Sequence, residues 1–160
     1  MLWCYPSCLL AKIVFMLKMA NRMAIIELSM EGRKNMKLIQ RESYMEKMIS
    51  VIGTPDIKVI TGVRRSGKSK LLEAFKKYIT STIADCNIIH INFNLPDYEN
   101  LLTYRALYDW INSHYKENVE NFVLIDEIQM CDGFERAING LHASEKFDIY
   151  ITGSNAFLLS

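Results

Sequence analysis

Apolar and polar positions alternate between a helical and an extended period over most of this chain. From Gln40 onward the pattern is regular: Tyr44, Met45, Met48, Ile49 and Ile52 fall at helical spacing, and Gly53-Thr54-Pro55 closes that helix. Residues 57–61 (Ile-Lys-Val-Ile-Thr) predict a short strand, residues 62–67 a loop, and Leu71, Leu72, Phe75 and Ile79 line one face of the helix that follows. A second strand is predicted at residues 87–93, ended by Asn94-Leu95-Pro96-Asp97, and Tyr104, Leu107, Tyr108, Ile111 and Tyr115 mark a longer helix. Residues 122–126 are apolar until the last, a third strand. Phe134, Ala137, Ile138 and Leu141 form another helical face, and residues 147–152 a fourth strand. Near-continuous apolar strands alternating with helices predict a parallel sheet covered on both faces, with right-handed crossovers. The expected fold is a three-layer α/β domain.

The first thirty residues break this regularity. Residues 9–20 are apolar but interrupted by Lys12 and Lys18, too short and too charged for a spanning helix of about 20 apolar residues. No Lys or Arg precedes Lys12, so a signal peptide is not indicated. Three readings stand: an extension upstream of the domain, a short amphipathic partner-binding helix, or a weak membrane contact.

Nineteen Lys and Arg against eighteen Asp and Glu leave a net charge of +1, so no global field points to nucleic acid or to an acidic membrane surface. A length of 160 residues suits one domain. Cys4 and Cys8 have no second pair and no His at ligand spacing, which argues against zinc. Cys86 opens an apolar run and reads as a small core residue. This usage fits a reducing compartment, and a cytoplasmic location follows from that and from the need for ATP argued next.

Gly62-Val63-Arg64-Arg65-Ser66-Gly67-Lys68-Ser69 matches G-x-x-x-x-G-K-[ST] in full, with an apolar strand before it and an amphipathic helix after it. Glycines let the backbone curl so that successive N–H groups converge on phosphate oxygens, and the helix starting near Lys68 turns its positive end to the same anion. Lys68 would then reach the β- and γ-phosphates of ATP, and the Ser69 hydroxyl would be a Mg²⁺ ligand. Asp126 emerges at the carboxyl end of its apolar strand, where open α/β sheets bind ligands, and can hold Mg²⁺. Glu127, the next residue, can polarise a water for attack on the γ-phosphate. After the fourth strand Thr152, Ser154 and Asn155 all qualify to orient that water, and spacing does not choose among them. Arg64 and Arg65 read equally as phosphate contacts or as solvated loop charges. His90, His114 and His142 have no triad or ligand neighbours, and Cys131 reads as an inert thiol rather than a redox sensor.

Taken together, Gly-Val-Arg-Arg-Ser-Gly-Lys-Ser, Ile-Asn-Phe-Asn, Leu-Ile-Asp-Glu-Ile-Gln and Ile-Thr-Gly-Ser-Asn resemble the prokaryotic AAA-type P-loop ATPases. More narrowly, they resemble the family with paired arginines in the Walker A loop (Arg64, Arg65), a Walker B strand running into Glu127-Ile128-Gln129, and a C-terminal domain of unknown function. The resemblance begins near Met36, which implies residues 1–35 as an extension, residues 36–160 as the ATPase domain, and Met36 as an alternative start to Met1. It also implies a five-stranded core ordered 5-1-4-3-2. Four strands are present, so the fifth is expected to be missing by truncation, leaving the edge of the first strand unpaired. An arginine finger and second sensor would lie further on, self-association would use AAA-type contacts, and any nucleic-acid partner would belong to the C-terminal part. The expected function is Mg–ATP binding and, in the complete protein, ATP hydrolysis that drives a conformational change. The alternatives are a non-hydrolysing ATP-binding switch and an inactive truncated chain. A GTPase is disfavoured, since no Asn-Lys-x-Asp occurs, and a P-loop kinase has no need of the Asp-Glu pair.

Overall fold

The computed structural model describes residues 13–18, 21–28 and 39–154. The elements run β1 (Ile13–Lys18), β2 (Asn21–Leu28), α1 (Ile39–Ser50), β3 (Ile57–Gly62), α2 (Lys68–Thr82), β4 (Cys86–Asn92), α3 (Tyr104–Ser113), β5 (Glu120–Asp126), α4 (Phe134–Ala143) and β6 (Asp148–Gly153). Short 3-10 turns at Pro96–Leu101 and Ile128–Met130 follow β4 and β5. All strands join one sheet in the order β1-β2-β3-β6-β5-β4. The four strands expected from the apolar pattern are parallel neighbours, with Val59 opposite Ile151, Ile151 opposite Ile125, and Ile125 opposite Ile91.

The expected bare edge of β3 is corrected by the structure. β2 lies there, parallel, with Met23 opposite Ile57 and Leu28 opposite Gly62, and β1 returns antiparallel beside β2. A free strand edge offers a row of unpaired N–H and C=O groups that any extended segment can satisfy. Here the segment comes from the leader, whose backbone is extended rather than helical over residues 13–18 and 21–28.

Each central strand divides its side chains between two cores, because alternate residues point to opposite faces. On one face Ile60, Phe122, Leu124 and Tyr150 pack with Met48 of α1 and with Leu71, Leu72, Phe75 and Ile79 of α2. On the other, Val59, Val123, Ile125, Ile149 and Ile151 pack with Leu107 and Ile111 of α3 and with Ala137, Ile138 and Leu141 of α4. The Phe75 and Tyr150 rings meet with centroids 4.6 Å apart. The apolar faces read for α2, α3 and α4 supply the buried apolar residues of those helices, whereas α1 buries Met48 with Tyr44, Met45, Ile49 and Ile52 half-buried around it, and Tyr115 lies past the end of α3. Each fully buried Leu, Ile or Phe contributes about 1.5–3 kcal/mol. Tyr104, Tyr108 and Trp110 pack against the second core, in line with their helical spacing.

At the amino ends of β3 and β6 sits a feature the apolar pattern hides. Lys58 is fully buried, and its ammonium bonds Asp148 Oδ1 and the Thr54 carbonyl, both at 2.6 Å. Asp148 Oδ2 accepts from the Gly53 N–H at 2.9 Å. The pair therefore ties the turn after α1 to the start of β6, and Gly53 adopts φ 73°, a left-handed value that suits glycine. Burial, with Asp148 close by, pushes the Tyr150 hydroxyl far above its ordinary value, so the phenol beside this pair stays neutral.

Candidate nucleotide site

The carboxyl ends of β3, β5 and β6 converge on one site. β3 ends at Gly62 and α2 begins at Lys68, so the loop between them must reverse the chain within five residues. Gly67 takes φ 94° as the residue before the helix, and Arg65 also lies at positive φ, 65°. Ser66 N–H bonds the Val63 carbonyl at 3.1 Å, which closes the curl. No side chain caps the start of α2, so its first-turn N–H groups remain for a ligand at that end. Val63, Arg64 and Arg65 point to solvent, while Ser69 is half-buried in the first turn of α2.

Lys68 is 3% exposed. Its ammonium rests on the Gly62 and Val63 carbonyls at 3.3 and 3.4 Å and lies 3.7 Å from Glu127 Oε1. These are long contacts for a cation that can make three good hydrogen bonds. The lysine therefore has bonding capacity left for an anion held over the loop.

Asp126 ends β5 at 1% exposure. One carboxylate oxygen, Oδ1, accepts from the Thr152 hydroxyl, and the other, Oδ2, is buried without a partner. A buried, unpaired carboxylate oxygen is costly unless something takes it. Thr61 Oγ1 and Ser66 Oγ are likewise buried without partners. Among the described residues no group of three or more His, Cys, Asp or Glu could hold a metal alone. A hard cation here would take one carboxylate, a hydroxyl, waters and phosphate oxygens, which is how Mg²⁺ is commonly bound. The residues present fit that ion.

Glu127 adopts φ 57° and ψ 51°, a left-handed conformation that costs a non-glycine residue about 1–3 kcal/mol. Two bonds hold it there. Its N–H donates to Thr152 Oγ1 at 3.1 Å, and its Oε2 accepts from Gln129 Nε2. Thr152 therefore gives its one proton to Asp126 and accepts from the Glu127 backbone, so it braces both acids and has no proton left for a water. Ser154 is half-buried just beyond β6, and Asn155 lies outside the described residues. The structure thus brings Lys68, Asp126, Glu127 and Thr152 together and leaves Arg64 and Arg65 turned outward. Apolar and motif patterns gave no signal for Thr61, Ser66 entered as one residue of the phosphate loop with no role for its hydroxyl, and Gln129 showed only as part of Glu-Ile-Gln.

Other titratable groups have structural partners. His142 bonds the Pro55 carbonyl at 2.7 Å, and His114 stacks on Trp110 at 4.0 Å. His90 is held below its ordinary pKa by burial and by Lys76, whose ammonium lies 3.5 Å from Nδ1. Burial, with Asp132 and Glu135 adding to it, pushes the Cys131 thiol up to about 11. At pH 8 its thiolate is therefore about 100-fold scarcer than that of an unshifted cysteine at 9.0. Iodoacetamide at pH 8 should label Cys131 at least about 100-fold more slowly in the native protein than in urea. Peptide mass spectrometry would read this, and equal rates would mean that the segment opens freely. Among the described residues no helix is long and apolar enough to cross a membrane.

Residues 54–160 match the family described as AAA domain. An uncharacterized protein of Haemophilus influenzae is 41% identical over 125 residues, covering 77% of this chain and 31% of that protein. An uncharacterized protein of Methanocaldococcus jannaschii is 32% identical over 133 residues, covering 79% of this chain and 27% of its own length. The chain thus spans between a quarter and a third of the length of these curated relatives. A structure of C. elegans PCH-2 superposes with a TM-score of 0.52 at 16% identity, over 78% of this chain and 40% of that one. That likeness concerns the fold, and with the family match it places the four-stranded parallel core among the AAA-type P-loop ATPases. The chain belongs to the AAA domain family.

Proposed function

We propose that the loop Gly62–Ser69 binds Mg–ATP and that the complete protein hydrolyses it to drive a conformational change. The observation that carries this reading is one site holding three groups of different chemistry. They are an under-bonded Lys68 ammonium 3.7 Å from Glu127, a buried Asp126 oxygen without a partner, and a helix start without a side-chain cap. In this reading the backbone N–H groups of Gly62, Val63, Arg64, Arg65, Ser66, Gly67 and Lys68 enclose the phosphates, and the Lys68 ammonium moves from Glu127 onto them. Ser69 and Asp126 Oδ2 hold the ion, which when bound supplies positive charge to the phosphate oxygens. Glu127 positions the attacking water and accepts its proton, while Ser154 or Asn155 orients it. Thr152 fixes the two acids relative to each other.

The paired arginines, the Glu-Ile-Gln and the length of the relatives support membership of the narrower family with a further C-terminal domain. In that reading residues 36–160 are the ATPase unit, with the strands Ile13–Lys18 and Asn21–Leu28 added to its edge, and the protein works in the cytoplasm. Self-association through AAA-type contacts, with an arginine supplied in trans, would raise turnover by about 10³–10⁵. A switch that binds ATP without turnover is the alternative, and single-turnover assays on the complete protein distinguish it.

Titration with labelled ATP and Mg²⁺, competed by GTP, tests the binding step. Lys68→Ala should weaken ATP roughly 10–150-fold, as expected for losing a charged hydrogen-bonding partner. Unchanged affinity in that variant, with folding intact, would remove the loop from nucleotide binding.

A further inference from the structure

We propose that Gln129 is the positioning residue for Glu127, clamping one carboxylate oxygen so that the other is the one presented to water. This inference rests on the reading of Glu127 as the group that activates water. An ionised carboxylate only accepts hydrogen bonds, so the Gln129 amide must turn its Nε2 toward Glu127 Oε2. The amide carbonyl then points away, and Gln129 Oε1 is buried without a partner. Oε1 of Glu127 is left toward Lys68 at 3.7 Å. Once Lys68 is drawn onto phosphate, Oε1 is the free oxygen, and Gln129 keeps the carboxylate from turning with it.

The local backbone makes this clamp stiff. Gln129 sits in the middle of the 3-10 turn Ile128–Met130, whose first residue is buried in the core. Cys131 is buried just after it, and Asp132 exchanges two backbone bonds with the segment before α3, to Leu102 O at 2.7 Å and from Tyr104 N at 2.9 Å. Glu127 in its left-handed conformation begins the same turn, and its carbonyl accepts from the Met130 N–H at 3.1 Å. Both side chains therefore leave one anchored turn. A shorter, apolar or acceptor-only residue at position 129 would leave the Glu127 carboxylate to rotate.

The test uses the full-length protein and four variants: Gln129→Met, Gln129→Leu, Glu127→Gln and Glu127→Gln/Gln129→Met. Met and Leu keep the approximate size of Gln while removing the donor, so one covers for the other should either fold poorly. Melting temperature, Kd for Mg–ATP and kcat are read for each. The expected result is kcat down about 10–100-fold in both Gln129 variants with Kd within about threefold of the parent. In the double variant Gln129→Met should add nothing to Glu127→Gln, because the clamp has no catalytic oxygen left to position. Parental kcat in the Gln129 variants overturns the inference, as does a loss that adds to Glu127→Gln or falls equally on Kd. Parental kcat in Glu127→Gln instead overturns the role of Glu127, and the clamp with it.

Discussion

Glu127→Gln is expected to lower ATP turnover by about 10²–10⁴-fold while Mg–ATP stays bound at least as tightly as in the parent. The substitution keeps the length of the side chain and an oxygen to accept from Gln129 Nε2. It removes the negative charge 3.7 Å from the Lys68 ammonium and the basicity needed to take a proton from water. Affinity should not fall, since Lys68 no longer divides its charge between Glu127 and phosphate. The backbone of residue 127 should keep its left-handed place, because its N–H still meets Thr152 Oγ1. Single-turnover assays with labelled ATP on the complete protein separate the steps. Equal rates in variant and parent would take Glu127 out of the chemistry. Binding without turnover in the parent itself would favour the switch.

A comparable effect on stability is expected at the opposite end of the sheet. Asp148→Ala should cost about 3–5 kcal/mol, because it leaves the fully buried Lys58 ammonium with the Thr54 carbonyl as its remaining close partner. It also strips the Gly53 N–H of its acceptor. For a chain of this size that corresponds to a melting temperature lower by roughly 6–20 °C. The pair as a whole is worth far less than either loss suggests, since both charges were taken out of water to make it. Lys58→Met with Asp148→Leu should accordingly fall within about 1 kcal/mol of the parent if the volumes are filled. Denaturant melts of the three proteins decide it, and a cost below about 1 kcal/mol for Asp148→Ala would mean that water reaches Lys58.

Much of this architecture is legible in the amino-acid sequence. Phe122, Val123, Leu124 and Ile125 read as a strand covered on both faces, and they are buried between two helical layers. Leu71, Leu72, Phe75 and Ile79 could only be one face of a helix, and they are the buried residues of α2. Boundaries moved by a residue or two, as where β5 begins at Glu120 rather than Phe122. The leader was not legible. Asn21–Leu28 mixes polar and apolar residues with no single period, and it becomes a strand by pairing with β3.

The amino-acid sequence by itself determined what depends on near neighbours along the chain. Gly67 takes a left-handed turn before α2 because glycine has no Cβ to forbid it, and Lys68 opens a helix whose apolar stripe has nowhere else to go. The tertiary structure alone decided what depends on distant residues. Thr152 reaches Asp126 across 26 positions, and Lys58 reaches Asp148 across 90. No local pattern encodes such pairs. A threonine or lysine in an apolar strand is compatible with many neighbours until the parallel order β3-β6-β5 sets one strand beside the next. The same order places a threonine hydroxyl between two acids at one end of the sheet and closes a buried ion pair at the other.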